Sequence, residues 1–219
     1  MAETHASRGN RPTRARTRGV TERPVGVRRS PVRIGPWRID PIVRDTVALP
    51  LPIAVGALGR SISMALEAAG APRPASVGLV LSADAELADL NETHLGHDGP
   101  TDVLSFPMLP PETFPPHAGR AAAAAAGSDE SRPDAHGAAP FTGPPGRRIH
   151  IGDIVVSVER AAEQATTGRG GQTGDVSWST ADELRLLVTH GTLHLCGWDH
   201  ADPVEEREMR ALEQRLLAR

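Results

Sequence analysis

The stretch His190-Gly-Thr-Leu-His-Leu-Cys-Gly-Trp-Asp-His200 decides what kind of domain this chain builds. His190 and His194 are four apart, so on a helix both imidazoles project from one face toward a single point. Gly197 supplies the left-handed residue that ends such a helix and turns the chain back, which brings His200 to the same point from the other side. Three imidazoles with a fourth position open are the donor set of a catalytic zinc site. A lone His is ordinarily a satisfied surface or core group. Three at this spacing around a helix-ending glycine make His190, His194 and His200 the expected metal ligands.

The spacing equals that of the metzincin peptidases, H-E-x-x-H-x-x-G-x-x-H, with Gly191 in place of the Glu that serves there as general base. Without that carboxylate, peptide hydrolysis lacks its proton acceptor. The absent side chain instead lets a neighbouring backbone or a bulky substrate approach the metal. Cys196 follows His194 by two, which turns it to another side of the helix, and it is expected to be a small buried apolar residue rather than a fourth ligand. Trp198 is expected to pack over the turn.

Working outward, Thr180-Ala-Asp-Glu183 is a capping box that opens the histidine helix, expected to run to about Cys196. Asp202-Pro203 starts a final helix with Met209, Leu212 and Leu216 inward and Glu206 and Arg210 paired outside. Upstream, Ile149 to Val158 is the clearest strand, followed by a helix over Glu159 to Thr167 that ends at the Gly168–Gly171 break. Val55, Leu58, Ile62, Leu66 and Ala69 form a helical stripe within Ile53 to Ala69, closed by Gly70. Ser76 to Leu81 and Asp102 to Phe106 read as short strands. Between them, Ser82 or Asp84 is positioned to cap a helix through Leu87 and Leu90. Helices and strands alternate, so the fold class is mixed α/β (α+β).

Two segments stand apart from this pattern. Residues 1–36 hold nine Arg against Glu3 and Glu22 with no sustained apolar period, the composition of a disordered basic arm. No apolar run follows the charges, so it does not read as a secretory signal, although an Arg-rich, acid-poor arm also fits an organelle transit peptide. Residues 108–147 hold Ala121 to Ala126 and eight of the 20 prolines, and are expected to form a low-complexity loop insertion within a single domain over 37–219. The rest of the chain carries 12 Arg and 21 acids, so the ordered domain is acidic although the formal net charge of the whole is −3. With no Lys, no Tyr and 3% aromatics, a nucleic-acid module built on repeated stacking is disfavoured. One Cys excludes an internal disulfide. No stretch reaches membrane-spanning length.

The histidine stretch resembles the signature of the YbeY endoribonucleases, the ribosomal RNA maturation factors. A second signature runs from Asn91 into Gly99-Pro-Thr-Asp-Val-Leu-Ser-Phe-Pro107, and Ile151-Gly-Asp-Ile-Val-Val-Ser157 matches the family's Gly-Asp strand. The resemblance implies a zincin-like domain with a four-stranded mixed sheet flanked by helices, and one zinc ion on His190, His194 and His200. It implies metal-dependent cleavage of single-stranded RNA in maturation of the small-subunit ribosomal RNA 3′ end and in ribosome quality control. The implied partners are single-stranded RNA and the ribosomal small subunit, in the cytoplasm. The alternatives are a ribosome-assembly binding factor with a structural metal, or a zinc hydrolase of another substrate.

One departure stands out. The family usually has an aromatic residue and then Arg where this chain has His94 and Leu95. An Arg there would clamp a phosphate, which Leu cannot do; Arg147 or Arg148 is the candidate substitute. No catalytic residue is assigned. Asp199, Asp153 and Asp102 are candidate proton acceptors. Asp199 is preferred as the partner that orients a ligand imidazole, Asp102 and Asp153 also suit turn capping, and Thr101 and Ser105 are expected to satisfy backbone groups.

Overall fold

A computed structural model describes residues 25–117, 148–167, 178–200 and 202–218. Its centre is a mixed sheet of six strands among the described residues: β1 (Gly26–Arg28), β2 (Val32–Ile34), β3 (Trp37–Arg44), β4 (Ala75–Ser82), β5 (Val103–Pro107) and β6 (Ile149–Ser157). The spatial order is β1-β3-β4-β6-β5, with β2 also paired to β3. β3, β4 and β6 run parallel; β1 and β2 pair antiparallel with β3, and β5 antiparallel with β6. Among the described residues five α-helices accompany the sheet: α1 (Val55–Ala68), α2 (Asp84–Leu95), α3 (Val158–Thr167), α4 (Thr180–Leu195) and α5 (Pro203–Leu217).

The mixed α/β class is as expected, and the sheet is wider than the four strands the resemblance implies. The additional strands come from chain assigned to the basic arm. Residues 26–28 and 32–34 are strands rather than disordered arm, because β3 offers an edge on which both pair, Gly26 opposite Arg44 and Ile34 opposite Trp37. β3 alternates strictly, burying Trp37, Ile39, Pro41 and Val43. Residues 1–24 lie outside the described residues.

One face of the sheet packs on α1 and α4. Leu58, Ile62 and Leu66 of α1 and Leu184, Leu187 and Val188 of α4 meet Ile39, Val77, Leu79, Ile154 and Val156 in one core. The period-2 pleat sends Val155 and Leu104 to the other face, beneath Leu87 and Leu90 of α2. Where β6 meets β4 the register shifts between Ser76 and Val77, and Gly152 sits at φ +154. A Cβ at Gly152 would lie 2.4 Å from the Phe106 carbonyl, so only glycine fits this bulge.

The insertion begins as ordered chain, contrary to a loop starting at 108. A 3-10 turn over Pro111–Thr113 seats Phe114, 4% exposed, in the main core. An aromatic ring that reaches the core repays the ordering of its neighbours. Residues 118–147 and the Gly168–Gly171 break lie outside the described residues. Helix α2 is capped neither by Ser82 nor by Asp84: its N-cap is Ala83. Ser82 Oγ donates instead to Glu86, and Asp84 accepts from Ser157 Oγ and Arg160. The box that opens α4 is one residue earlier than expected: Ser179 accepts from the Asp182 amide and Asp182 accepts from the Ser179 amide.

Candidate metal centre

α4 is the central helix of the core, and its C-terminal half carries the site. His190 and His194 follow one another by one turn, with ring centroids 4.5 Å apart. The helix then closes as a Schellman motif: the Trp198 amide donates to the Leu193 carbonyl and the Gly197 amide to the His194 carbonyl, with Gly197 at φ +82. The chain turns back. The Asp199 amide is held by Glu205 Oε1 at 2.8 Å, and Asp202 caps α5 through the amides of Val204 and Glu205. His200 thereby arrives 5.1 Å from the His194 ring and 5.9 Å from the His190 ring. One nitrogen from each of the three imidazoles lies within 4.8 Å of the others, as the spacing predicts.

The hydrogen bonds on the far side of two rings decide where their lone pairs point. His194 Nδ1 lies 2.8 Å from the Trp198 carbonyl, which can only accept, so Nδ1 carries the proton. His190 Nδ1 lies 2.6 Å from Glu213 Oε1, and the carboxylate likewise accepts a hydrogen bond from a protonated Nδ1. Both Nε2 atoms are then acceptors in the neutral rings, and they face each other at 3.0 Å. Two lone pairs at that distance repel unless a cation lies between them or beside both. A proton is a poor candidate for that cation on His194. Burial above all, and then the neighbouring His190, lower its pKa from 6.5 to about 4 against the opposing Trp198 carbonyl, with His200 lowering and Asp199 raising it further. The donor set therefore fits a divalent metal of the zinc type.

Gly191 has the close approach expected of it, but to the sheet rather than to a substrate. A Cβ there would lie 3.0 Å from Ile154 Cγ2, 3.0 Å from Ser105 Oγ and 3.1 Å from Val103 Cγ2. Ser105 Oγ donates to the Gly191 carbonyl at 3.0 Å, the backbone role anticipated for it. Cys196 is buried behind the site and outside the cluster, and its thiol is pushed up to about 12 by desolvation. Trp198 packs over the turn, stacked on His117 with ring centroids 3.9 Å apart.

Asp102 caps the start of its strand as expected, and Asp199 is placed differently from expectation. Asp199 accepts from the His200 amide at 2.7 Å, which makes it a turn residue. The carboxylate that orients an imidazole is Glu213. Its signal was present in the sequence: Glu213 lies beside Leu212 and four after Met209, on the inward stripe of α5, where a carboxylate needs a partner. Asp102 holds the Val103 amide at 2.8 Å and Gln164 Nε2 at 3.1 Å. Asp153, adjacent to Ile154 on β6, faces away from α4, 3.2 Å from His150 Nε2. Thr101 Oγ1 stays local, near Asp102 and the Val103 carbonyl. Asn91 Nδ2 donates to the Gly99 carbonyl at 2.9 Å and ties α2 to the second signature, and His94 meets Phe106 edge-on. Arg148 is engaged with the Pro36 carbonyl rather than offered to a phosphate. Arg147 and the Leu95 side chain lie outside the described residues.

A three-imidazole centre at the Schellman end of a core helix defines a candidate metalloenzyme of mixed α/β fold. The family model described as Endoribonuclease YbeY matches residues 55–219, and the chain belongs to that family. A relative from Salinispora tropica named Endoribonuclease YbeY is 42% identical over 154 residues, covering 70% of this chain and 80% of its own length. Relatives of the same name from Beutenbergia cavernae and Corynebacterium glutamicum (strain R) are 42% and 46% identical, each over 60% of this chain. These matches span 65% and 52% of the relatives' own lengths. A solution structure of a Thermotoga maritima protein is also similar, at 20% identity and a TM-score of 0.43 over 83% of this chain and 86% of that chain. No helix among the described residues is long and apolar enough to cross a membrane.

Proposed function

We propose that the chain is a metal-dependent endoribonuclease that hydrolyses phosphodiester bonds in single-stranded RNA, with one zinc ion on His190, His194 and His200 in a zincin-like centre. The observation that carries this reading is the pair of imidazole acceptors facing each other at 3.0 Å beside a third imidazole, in a chain of the YbeY family. Bound there, the ion would supply Lewis acidity toward a phosphate oxygen and a water of lowered pKa. The chain's own work is to keep the donors ready. Glu213 holds the proton on His190 Nδ1, the Trp198 carbonyl holds that on His194 Nδ1, and the Asp199–Glu205 turn fixes the approach of His200.

The names of the relatives support an RNA substrate, and the family resemblance points to ribosomal RNA, with a role in maturation of the small-subunit RNA 3′ end, in ribosome quality control, and in contact with the small subunit in the cytoplasm. Leu95 at the family's Arg position favours a second reading, a ribosome-assembly binding factor with a structural metal. One experiment separates the two. The purified full chain is incubated with a single-stranded RNA and with a peptide, with and without chelator, alongside His194→Ala. RNA cleavage that chelator and His194→Ala both abolish is the expected result. RNA binding without cleavage establishes the second reading, and cleavage indifferent to both treatments refutes the first.

A further inference from the structure

A cavity of about 680 Å³ opens between α4 and α5, with His190 and His200 forming part of its wall. Its volume is that of a small-molecule site. Trp178, Leu186, Met209 and Leu217 give it an apolar lining, and Arg185 and Arg210 contribute one guanidinium from each helix. We propose that this cavity is a subsite for the base of a nucleotide flanking the scissile phosphate, with Trp178 as its stacking platform. The proposal rests on the RNA-cleaving reading above and adds to it where the substrate lies.

Trp178 is anchored by a buried partner. Its Nε1–H donates at 2.7 Å to Glu183 Oε2, and Glu183 is fully buried inside α4. Burying a carboxylate in a helix core is costly unless it is well partnered. Here it fixes the indole before any ligand arrives, so stacking requires little further ordering of the side chain. An aromatic face held still beside a metal centre is suited to a planar partner.

The charges select which part of a nucleotide goes inside. Asp182, Glu206 and Glu213 also line the cavity, which disfavours a phosphate in its interior and leaves a neutral base as the fitting occupant. Phosphates belong at the histidines and at the arginines. Arg210 pairs with Glu206 at 2.5 Å and Arg185 lies 3.8 Å from Asp182, both half-exposed. Exposed ion pairs are weak, so each guanidinium is free to exchange its carboxylate for a phosphate.

The test is a walk of a single abasic nucleotide through a short single-stranded RNA around its cleavage position, read as kcat and KM with the metal-loaded full chain. Removing the stacked base should raise KM about 10-fold at one flanking position, the scale of a lost base–aromatic stack, and leave kcat nearly unchanged. Trp178→Ala should raise KM on intact RNA by the same factor and add nothing on the abasic RNA. Trp178→Phe should recover most of the loss. A flat abasic profile in the parent refutes the subsite even where Trp178→Ala fails to fold, and additive effects of the two changes refute Trp178 as the platform. A parent that cuts no RNA refutes the nuclease reading and this subsite with it.

Discussion

Glu213 is the strongest handle on the metal centre, because its carboxylate acts on the site only through His190. The contact is 2.6 Å long, and the Glu213 side chain is 11% exposed against 28% for His190, so water competes poorly for it. A hydrogen bond to an ionised group contributes about 1.5–3 kcal/mol. Losing an outer partner of a metal-bound His typically lowers metal affinity about 10–100-fold, which is about 1.4–2.8 kcal/mol. The two estimates agree, so most of the bond's worth should appear as metal affinity. Glu213→Gln retains an oxygen acceptor of the same shape and removes only the charge; it should weaken zinc binding about 10-fold. Glu213→Leu removes the acceptor and should approach 100-fold.

The assay is competition for zinc against a chromophoric chelator at neutral pH, paired with calorimetric melting of the metal-free protein. Metal-free stability should change little in Glu213→Gln, because the amide oxygen still accepts from His190 Nδ1–H. Parent-like zinc affinity in both variants would refute the argument. So would a fall in affinity matched by an equal fall in metal-free stability, since Glu213 would then be holding α5 on the core rather than orienting an imidazole.

Gly191→Ala should destabilise the fold by about 1–2 kcal/mol by chemical denaturation: three atoms near 3.0 Å must retreat, and that overpacking exceeds the roughly 0.5–1 kcal/mol that Ala gains over Gly in a helix. Cys196 should resist alkylation in mildly alkaline buffer and react once the protein is unfolded by denaturant, since its thiol is pushed up to about 12 by burial; rapid labelling of the native chain would contradict this. The metal-free protein should lose stability as pH falls from about 6.5 toward about 4. There the unfolded chain protonates His194 and the folded one does not, so the unfolded state binds more protons and is favoured. Denaturation midpoints across that window should slope less steeply in His194→Asn than in the parent, and equal slopes would contradict the assignment.

The features legible in the sequence are those fixed by local spacing. An i, i+4 histidine pair and a following Gly determine a helix face and its Schellman end whatever surrounds them, and the Met209–Leu212–Leu216 stripe determines which side of α5 turns inward. What escaped was decided by partners distant in sequence. β1 and β2 are three residues each with mostly exposed side chains, and their Arg-rich composition resembles an arm; only the edge of β3 makes them strands. Thr180-x-x-Glu183 matches the capping-box pattern, yet Ser179-x-x-Asp182, one residue earlier, is the second candidate and the box that forms. The tertiary structure chooses the second because Glu183 is drawn into the core to meet Trp178. The stripe of α5 marks Glu213 as an inward carboxylate in need of a partner, but only the fold shows the turn carrying Asp199 toward the backbone and α5 bringing Glu213 against His190.

Gly191 joins these two kinds of information. By spacing alone it is a peptidase motif with its base deleted, which removes the proton acceptor that peptide hydrolysis needs. In the fold, the place of that side chain is filled by Ser105, Ile154 and Val103, and the Gly191 carbonyl is bound by the Ser105 hydroxyl. A Glu at this position would have to displace two strands of the sheet before it could reach the metal. Gly191→Glu should therefore unfold the site rather than confer peptide hydrolysis. The His-x-x-x-His-x-x-x-x-x-His scaffold is thus compatible with more than one chemistry. The sheet packed behind the helix decides whether a carboxylate can stand at this position, and here the side chains of its own strands occupy that place.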